Sequence, residues 1–550
     1  MYRLSLLLSV NHAVGKIGKM ETNNNDSIAR GVGVPRMQSN NRARAPLLCL
    51  ALCATYLQGC VNLGPDYVEP EVSWLDEWET NLYGQVGTPE EQTDLQFWWQ
   101  AFSDPVLNEL IDIARRENAS LRIAGLSVLE SKALLGIAYG SQYPQVQQLS
   151  GSWARVDRWP TEGDNSGDHS NLNSYSAGFD IGWEMDFWGR YRRSIESADA
   201  AFFASVTNQQ NAQVLLAAQV AQAYYAYRTT ALQIEISREN AALQERSLEI
   251  TTKLFNSGQS AELDVQQART QYLATLATIP DLEVSLRQIE NALGVLLNRA
   301  PGDLPELAQV PATLPVLNPV FIDAVPASLL MRRPDIRTAA FGVAAQSAQI
   351  GVAEANLYPS FSLFGTIGWS GNTLEFSDDT LSTGVGPAFS WNIFNYDRLE
   401  NNVRVQDARL QQAIEAYQLS VLAAAREIDD AAISVVKSRD QIGILGESLD
   451  AAERSLVLST KRYQEGYSDF QRVLTAQRSR ATASSRYVAN QGAHINAVID
   501  FYRALGGGWR PATAEDLVPE DVRMVMEERT DWDTMLEEQV PDGSETSGAQ

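Results

Sequence analysis

Cysteine is almost missing from this 550-residue chain, and Cys49, Cys53 and Cys60 at one end are all of it. Histidine is as scarce, with His12, His169 and His494. Zinc clusters and Cys/His nucleophiles therefore have no raw material, and no acidic pair falls in a predicted pocket. The composition points away from an enzyme and implies neither a metal nor a cofactor. Basic charge is also short: 43 Lys and Arg stand against 68 Asp and Glu, a net charge of −25. Such a chain repels phosphate backbones, which argues against a nucleic-acid partner.

The two upstream cysteines lie inside an apolar run, Ala45 to Leu57, preceded by Arg42 and Arg44. That is the layout of a secretory signal, and the run is shorter than the roughly 20 apolar residues that cross a bilayer as a helix. Leu57-Gln58-Gly59-Cys60 follows and resembles a bacterial lipobox. Cleavage before Cys60 leaves that residue as the only cysteine, acylated and lipid-anchored, with residues 1–59 as leader. The leader carries seven basic and two acidic side chains, so the remainder has a net charge near −30. Residues 1–36 are too polar for a signal, whereas a start at Met37 would supply an ordinary one. The expectation is a misassigned start or removal of the upstream stretch; intact mass showing residues before Cys60 would overturn it.

Glycine and proline are absent from Arg190 to Ser257, which at 1.5 Å per residue allows a helix of roughly 100 Å. This helix belongs to a duplicated plan: Tyr143-Pro144 and Tyr358-Pro359, about 215 residues apart, each precede strand, loop, strand and long helix. Residues 60–104 read as an extended N-terminal segment. The first repeat spans 105–300: a helix over 105–140 opened by Asp104-Pro105, strands near 146–158 and 175–187, the long helix, and a second helix from about Ala261 to Asn298. A proline-rich linker, 301–326, leads to the second repeat, 327–509. There the pattern predicts a helix over 327–357, strands near 360–370 and 383–394, a long helix from Tyr396 to Gln464, and a last helix to Leu505. Residues 510–550 read as an acidic tail, mobile beyond Val540. Each long helix would match two short ones stacked end to end, as in a cylinder wall.

The strands alternate strictly: Tyr175, Ala177, Phe179, Ile181, Trp183, Met185 and Phe187 face one way, and Ser176, Gly178, Asp180, Gly182, Glu184 and Asp186 the other. Phe361 and Trp369 head the same pattern in the third strand, and Phe389 and Trp391 in the fourth. Strand length and aromatic weight, including Trp188 near a strand end, favour a lipid-facing barrel surface over a soluble sheet. Open sheet edges are not tolerated in lipid, and single-chain barrels start at about eight strands. Four strands per chain therefore require several chains to share one barrel.

At this point the chain resembles the TolC-like outer-membrane efflux proteins, in particular the NodT-type lipoprotein branch serving resistance-nodulation-division pumps. The matching stretches include Gly64-Pro65-Asp66-Tyr67, Trp98-Trp99 with Phe102 and Asp104-Pro105, and Trp183 through Arg190. Arg332-Arg333-Pro334-Asp335-Ile336-Arg337, Ile350-Gly351-Val352-Ala353 and Ala504-Leu505-Gly506-Gly507-Gly508-Trp509 continue the match in order. The resemblance implies a mainly α fold with membrane β: a homotrimer whose 12-stranded barrel runs into a 12-helix α-barrel. It also implies a passive exit duct for drugs, dyes or metal ions, working with a periplasmic adaptor and an inner-membrane pump. A type I protein secretion duct is the nearest alternative, and a trimeric coiled-coil adhesin a more distant one.

The helix pairs should turn at Gly258 and Gly466, placing the periplasmic tip there. Glu262, Asp264 and Asp469 are candidates for carboxylate rings at an aperture, although acids at helix N-termini also simply suit the dipole. Where family members often carry an aspartate, this chain has Ser468 followed by Asp469. Ser257, Gln259, Ser260, Gln464 and Glu465 beside the turns are adaptor-contact candidates. Arg332, Arg333, Asp335 and Arg337 read as structural, fixing the start of a helix through ion pairs.

Overall fold

A computed structural model describes residues 61–72, 95–158, 170–309, 313–315, 317, 330–374, 381–532 and 534–536. The leader, Cys60 and the chain beyond 536 lie outside them.

Asp104 opens the first helix, α1 (Pro105–Glu117), by accepting the backbone N–H of Val106 and Leu107 at 3.1 and 3.3 Å. The single helix expected over 105–140 is in fact two, because Asn118 leaves the helical region (φ −63°, ψ 123°) and caps α2 (Ala119–Gly140) through Leu121 N at 2.9 Å. Its amide donates to the Leu296 carbonyl at 2.9 Å, at the end of another helix. The break is thus a splice between two helices, made where neither Gly nor Pro marks it.

From there the duplication is metrical. The long helices α3 (Arg190–Asn256) and α6 (Arg398–Gln464) have 67 residues each. The tip-side helices α4 (Glu262–Leu296) and α7 (Phe470–Ala504) have 35, and the sheet-side helices α2 and α5 (Pro334–Ala355) have 22. Arg333 is the second splice: its guanidinium donates to the Ala504 carbonyl at 2.7 Å, holding the start of α5 on the end of α7, and pairs with Asp335 and Glu427. The helix expected from 327 is interrupted: Leu330 and Met331 are helical, Arg333 leaves the helical region (φ −62°, ψ 130°), and α5 begins at Pro334, where the ring suits the first turn, while 327–329 lie outside the described residues.

Four antiparallel strands, β1 (Val146–Arg158), β2 (Ser170–Met185), β3 (Ser360–Gly371) and β4 (Leu381–Ser390), form one sheet in that order. β2 stops short of the expected Phe187 because Asp186 turns back to accept the N–H of Tyr191 and Arg192 at the start of α3. β4 stops short of the expected residue 394, and Trp391 instead donates its indole N–H to the Leu357 carbonyl at 3.0 Å.

The helices follow the same lateral order as the strands. Nearest the sheet α2 packs on α3, α3 on α5 and α5 on α6; toward the tip α4 packs on α3, α3 on α7 and α7 on α6. Among the described residues these elements form a strip whose two edges are not paired with another strand or long helix, α2 being met only by the C-terminal segment. One is β1, α2 and α4; the other is β4 and α6.

The main core lies where the short helices meet, and the segment read as extended, 60–104, contributes its largest side chains: Trp98 and Trp99 are fully buried in a 3₁₀ turn, Leu95–Phe102. Trp98 stacks on Tyr502 with ring centroids 5.5 Å apart. Residues 510–536, read as a tail, pack instead: Leu517, Val518, Met526 and Leu536 are buried with Val128, Leu129, Phe202, Phe203 and Val206 of α2 and α3. An acidic average hid these few anchors.

Candidate functional site

Cross-strand register decides what the sheet can do, since directly paired residues share a face. Leu149 lies opposite Phe179, Phe179 opposite Ile367, Trp183 opposite Leu363, Met185 opposite Phe361, and Phe361 opposite Phe389. Those odd-numbered positions form one continuous apolar face that also holds Trp153, Trp369, Leu381 and Val385. Phe179, Trp183, Phe361 and Phe389 on it are exposed, whereas Trp369 is buried. The opposite face carries Ser150, Ser152, Ser176, Asp180, Ser362 and Thr366, with Phe364 as a bulky exception. No helix among the described residues is long and apolar enough to cross a membrane. The sheet is the surface with an apolar face to offer lipid.

At the base of the sheet the aromatic residues divide. Phe187 packs edge-on against Phe361, 5.3 Å between centroids. Trp188 turns off the face into the corner, stacking on Tyr358 at 4.8 Å and donating to the Pro359 carbonyl at 2.7 Å. The segment just after Cys60 docks on the same corner. Buried Arg193 donates to the carbonyls of Leu63 and Gly64 and pairs with Asp66 at 2.7 Å, while Leu63 N–H meets the Trp188 carbonyl. A Cβ on Gly64 (φ 85°) would lie 2.5 Å from Gly351 Cα, so two of the quoted motifs touch where a side chain has no room. Sequence reasoning missed Arg193; the signal was there in Arg190, Arg192 and Arg193 crowding a helix N-terminus, where cations are disfavoured and need carboxylates.

The wall carries a second buried arrangement that was missed. Asp104 and Arg228 form an ion pair at 2.5 Å, both almost fully buried, and the Tyr224 hydroxyl donates to the same carboxylate at 3.0 Å. Burial raises the Tyr224 phenol well above its ordinary pKa, which keeps it a donor. Arg228 also reaches the Thr313 carbonyl, pinning the linker. Arg228 follows a largely apolar and aromatic run, Val220 to Tyr227, and the partners that account for it, Asp104 and Thr313, are distant in sequence.

At the far end, Gly258 and Gly466 have φ of 72° and 79°, the left-handed conformation that closes a helix. The two turns are the same motif: Gly258 N–H donates to Phe255 and Gln259 N–H to Leu254, as Gly466 does to Tyr463 and Tyr467 to Arg462. Ser257 and Glu465 are the C-caps, and Gln259, Gln464 and Glu465 are exposed beside them. The candidate acids differ. Asp469 is the exposed N-cap of α7 and accepts Arg472 N–H at 3.1 Å. Asp264 accepts from the Ser260 hydroxyl at 2.7 Å, and Glu262 only brushes Gln266 at 3.5 Å. The two hairpins touch through Ala268, Phe470, Val473 and Leu474, and Tyr463 beside them is raised in pKa chiefly by burial.

The model of the outer membrane efflux protein family matches residues 110–299 and 325–507. The chain belongs to that family. Among its relatives is the solvent efflux pump outer membrane protein SrpC of Pseudomonas putida, 30% identical over 84% of this chain and 98% of its own length. The cation efflux system protein CusC of Escherichia coli is likewise 30% identical, over 84% and 98%. Among solved structures, the outer-membrane channel OprN superposes with a TM-score of 0.75 at 29% identity, covering 82% of this chain and all of that one. The chain is thus an outer-membrane channel component of an efflux system.

Proposed function

We propose that three copies close edge to edge into a passive duct, a 12-stranded barrel continuous with a 12-helix tunnel, that carries small toxic compounds out of the cell. The observation that carries this is the strip itself: among the described residues the sheet has no further strand beyond β1 and β4, and the row of helices beneath ends in line with them. Unpaired edges in lipid cost several kcal/mol per backbone group, so a neighbour must cover them. The helical edges carry the exposed apolar side chains such contacts need, with Ile123, Leu134 and Ile137 on α2, Leu273 and Val284 on α4, and Leu419, Leu422 and Ile444 on α6.

The remaining assignments follow from position. Cys60, two residues before the docked Asn62, would carry its acyl chains beside the base of the membrane sheet. The grooves beside Gly258 and Gly466 suit a periplasmic adaptor, through Ser257, Gln259, Ser260, Gln464 and Glu465, which in turn meets an inner-membrane pump of the resistance-nodulation-division type. Solvents and cations, named for SrpC and CusC, mark the cargo class as small compounds. The duct needs no catalytic group of its own.

Deleting the gene in a strain that expresses its pump and lacks a redundant duct should raise retention of dyes or solvents several-fold; unchanged retention would sink the reading. Asp469 allows a finer test of the aperture. Asp469→Asn keeps a capping oxygen and removes the charge, so single-channel conductance and cation preference should change while stability does not. If conductance is unaltered, Asp469 is a cap and nothing more.

A further inference from the structure

The two repeats end their strand pairs in segments that align without a gap, Trp183 to Arg190 and Trp391 to Arg398. Their geometry agrees at three points. Trp183 donates its indole N–H to the Gln142 carbonyl at 3.1 Å and Trp391 to the Leu357 carbonyl at 3.0 Å, in each case the residue before Tyr-Pro in the same repeat. Gly189 and Asp397 both have positive φ, 76° and 60°, and both are N-caps of a 67-residue helix. Arg190 and Arg398 then begin those helices.

One position breaks the agreement. Trp188 corresponds to Tyr396, but Trp188 is packed on Tyr358 and hydrogen-bonded to Pro359, the Tyr-Pro pair of the following repeat, while Tyr396 is 96% exposed. Tyr396 is also held at φ 50°, so two successive residues without glycine's freedom adopt the left-handed region to present it. The repeat that follows the second one is the first repeat of a neighbouring copy. Its Tyr-Pro pair is Tyr143-Pro144, and Tyr143 is 67% exposed.

We infer that Tyr396 of each copy stacks on Tyr143 of the next and donates its hydroxyl to the Pro144 carbonyl, the intermolecular counterpart of the Trp188–Tyr358–Pro359 corner. Strand register bears on the same edge but does not fix the tyrosine contact itself, because the strand starts lie 214 residues apart and the Tyr-Pro pairs 215, so β1 begins one residue further from its Tyr-Pro pair than β3 does. β1 and β3 begin at Val146 and Ser360, so carrying the β2–β3 pairing of Trp183 with Leu363 over to the free edges sets Trp391 opposite Leu149 and Pro387 opposite Trp153. That register joins the apolar face of β4 to the apolar face of β1; a slip of one residue would join apolar to polar. The contact rests on the edge-to-edge ring proposed above and says which residues clasp it.

Photo-oxidative dityrosine coupling of the purified full-length protein, prepared as a mixture of ¹⁴N- and ¹⁵N-labelled copies, tests it. Mass spectrometry should find a Tyr143–Tyr396 peptide joining differently labelled copies. Tyr396→Phe or Tyr143→Phe should reduce that peptide to background while native mass still shows three copies. Tyr396→Ala should lower the temperature of trimer dissociation by more than Tyr396→Phe does. A trimer without the linked peptide, or with the link inside one copy, overturns the contact and leaves the ring standing. A monomer at native mass overturns the ring and the contact together.

Discussion

The waist of the helical strip and its tip are built from the same repeated helices yet held by different forces. At the waist Trp98, Trp99, Tyr224, Tyr417 and Phe501 are fully buried in one cluster, and Tyr224 ties it to the buried Asp104–Arg228 pair. At the tip the buried set shrinks to Ala268, Phe470, Val473 and Leu474, and the hairpins are joined by polar contacts: Arg478 to Gln271 at 2.7 Å, Arg480 to Asn240 at 2.6 Å and Gln477 to Ser247 at 2.6 Å. Apolar burial is undirected and cumulative, whereas a hydrogen bond contributes only about 1 kcal/mol net, whether its side chains are exposed, as Arg478 is, or buried, as Gln477 and Asn240 are. The waist is the more densely packed region and the tip the more loosely tied one, the distribution that the duct proposed above would need in order to open at its tip.

The largest break of that contrast is Asp104→Ala. It removes the cap of α1 and strands a buried guanidinium, so we expect a loss of about 3–5 kcal/mol, read as a lower denaturant midpoint of the whole protein. A loss under about 1 kcal/mol would mean the waist is not held as described. Arg480→Ala should act at the other end and more weakly. Its pairs with Glu239 and Glu453 are partly solvated and its bond to buried Asn240 is a single one, so global stability should fall by about 1–2 kcal/mol, less than for Asp104→Ala. Amide exchange near residues 239–247 and 477–484 should nevertheless quicken; unchanged exchange would show that these contacts do not hold the tip.

The smallest effect is a dependence on pH at the lower margin of the waist. His494 is buried in α7, bonded to Ser438 at 2.8 Å and faced by the Leu317 and Val435 carbonyls and by Arg439. Burial lowers its pKa below 6.5, so the unfolded chain binds a proton more readily than the folded one. The stability it contributes is present above pH 6.5 and is lost as the pH falls below that value. His494→Gln should flatten that part of the stability profile without changing the plateau at pH 8; a profile identical to wild type would assign the dependence elsewhere.

Legibility followed the range of the interactions involved. Gly258 and Gly466 stood out because a left-handed helix terminus prefers glycine, and the strands because two unlike environments impose a period of two. The splice at Asn118 did not, since Asn is a mild helix breaker and its partner, the Leu296 carbonyl, is 178 residues away. Trp98 and Trp99 were visible as a motif but not as the largest buried side chains of the fold. The C-terminal segment misled through composition: Leu517, Val518, Met526 and Leu536 are too irregularly spaced to show a face, and the pocket they fill belongs to α2 and α3.

By itself the sequence determined the duplicated unit, the order of helices and strands, the turns at both tips and the alternation that makes one side of every strand apolar. All of these come from φ/ψ preference and side-chain period, which act within a few residues. Tertiary structure decided that the apolar faces join into one surface, that short helices are spliced into long ones, and that one pair of edges is unpaired among the described residues. Those outcomes depend on cross-strand register and on contacts between residues more than a hundred positions apart, such as Asp104 with Arg228, Arg333 with Ala504 and Trp188 with Pro359. A local pattern cannot rank such pairings, because their free energy is realised only when the whole strip is assembled.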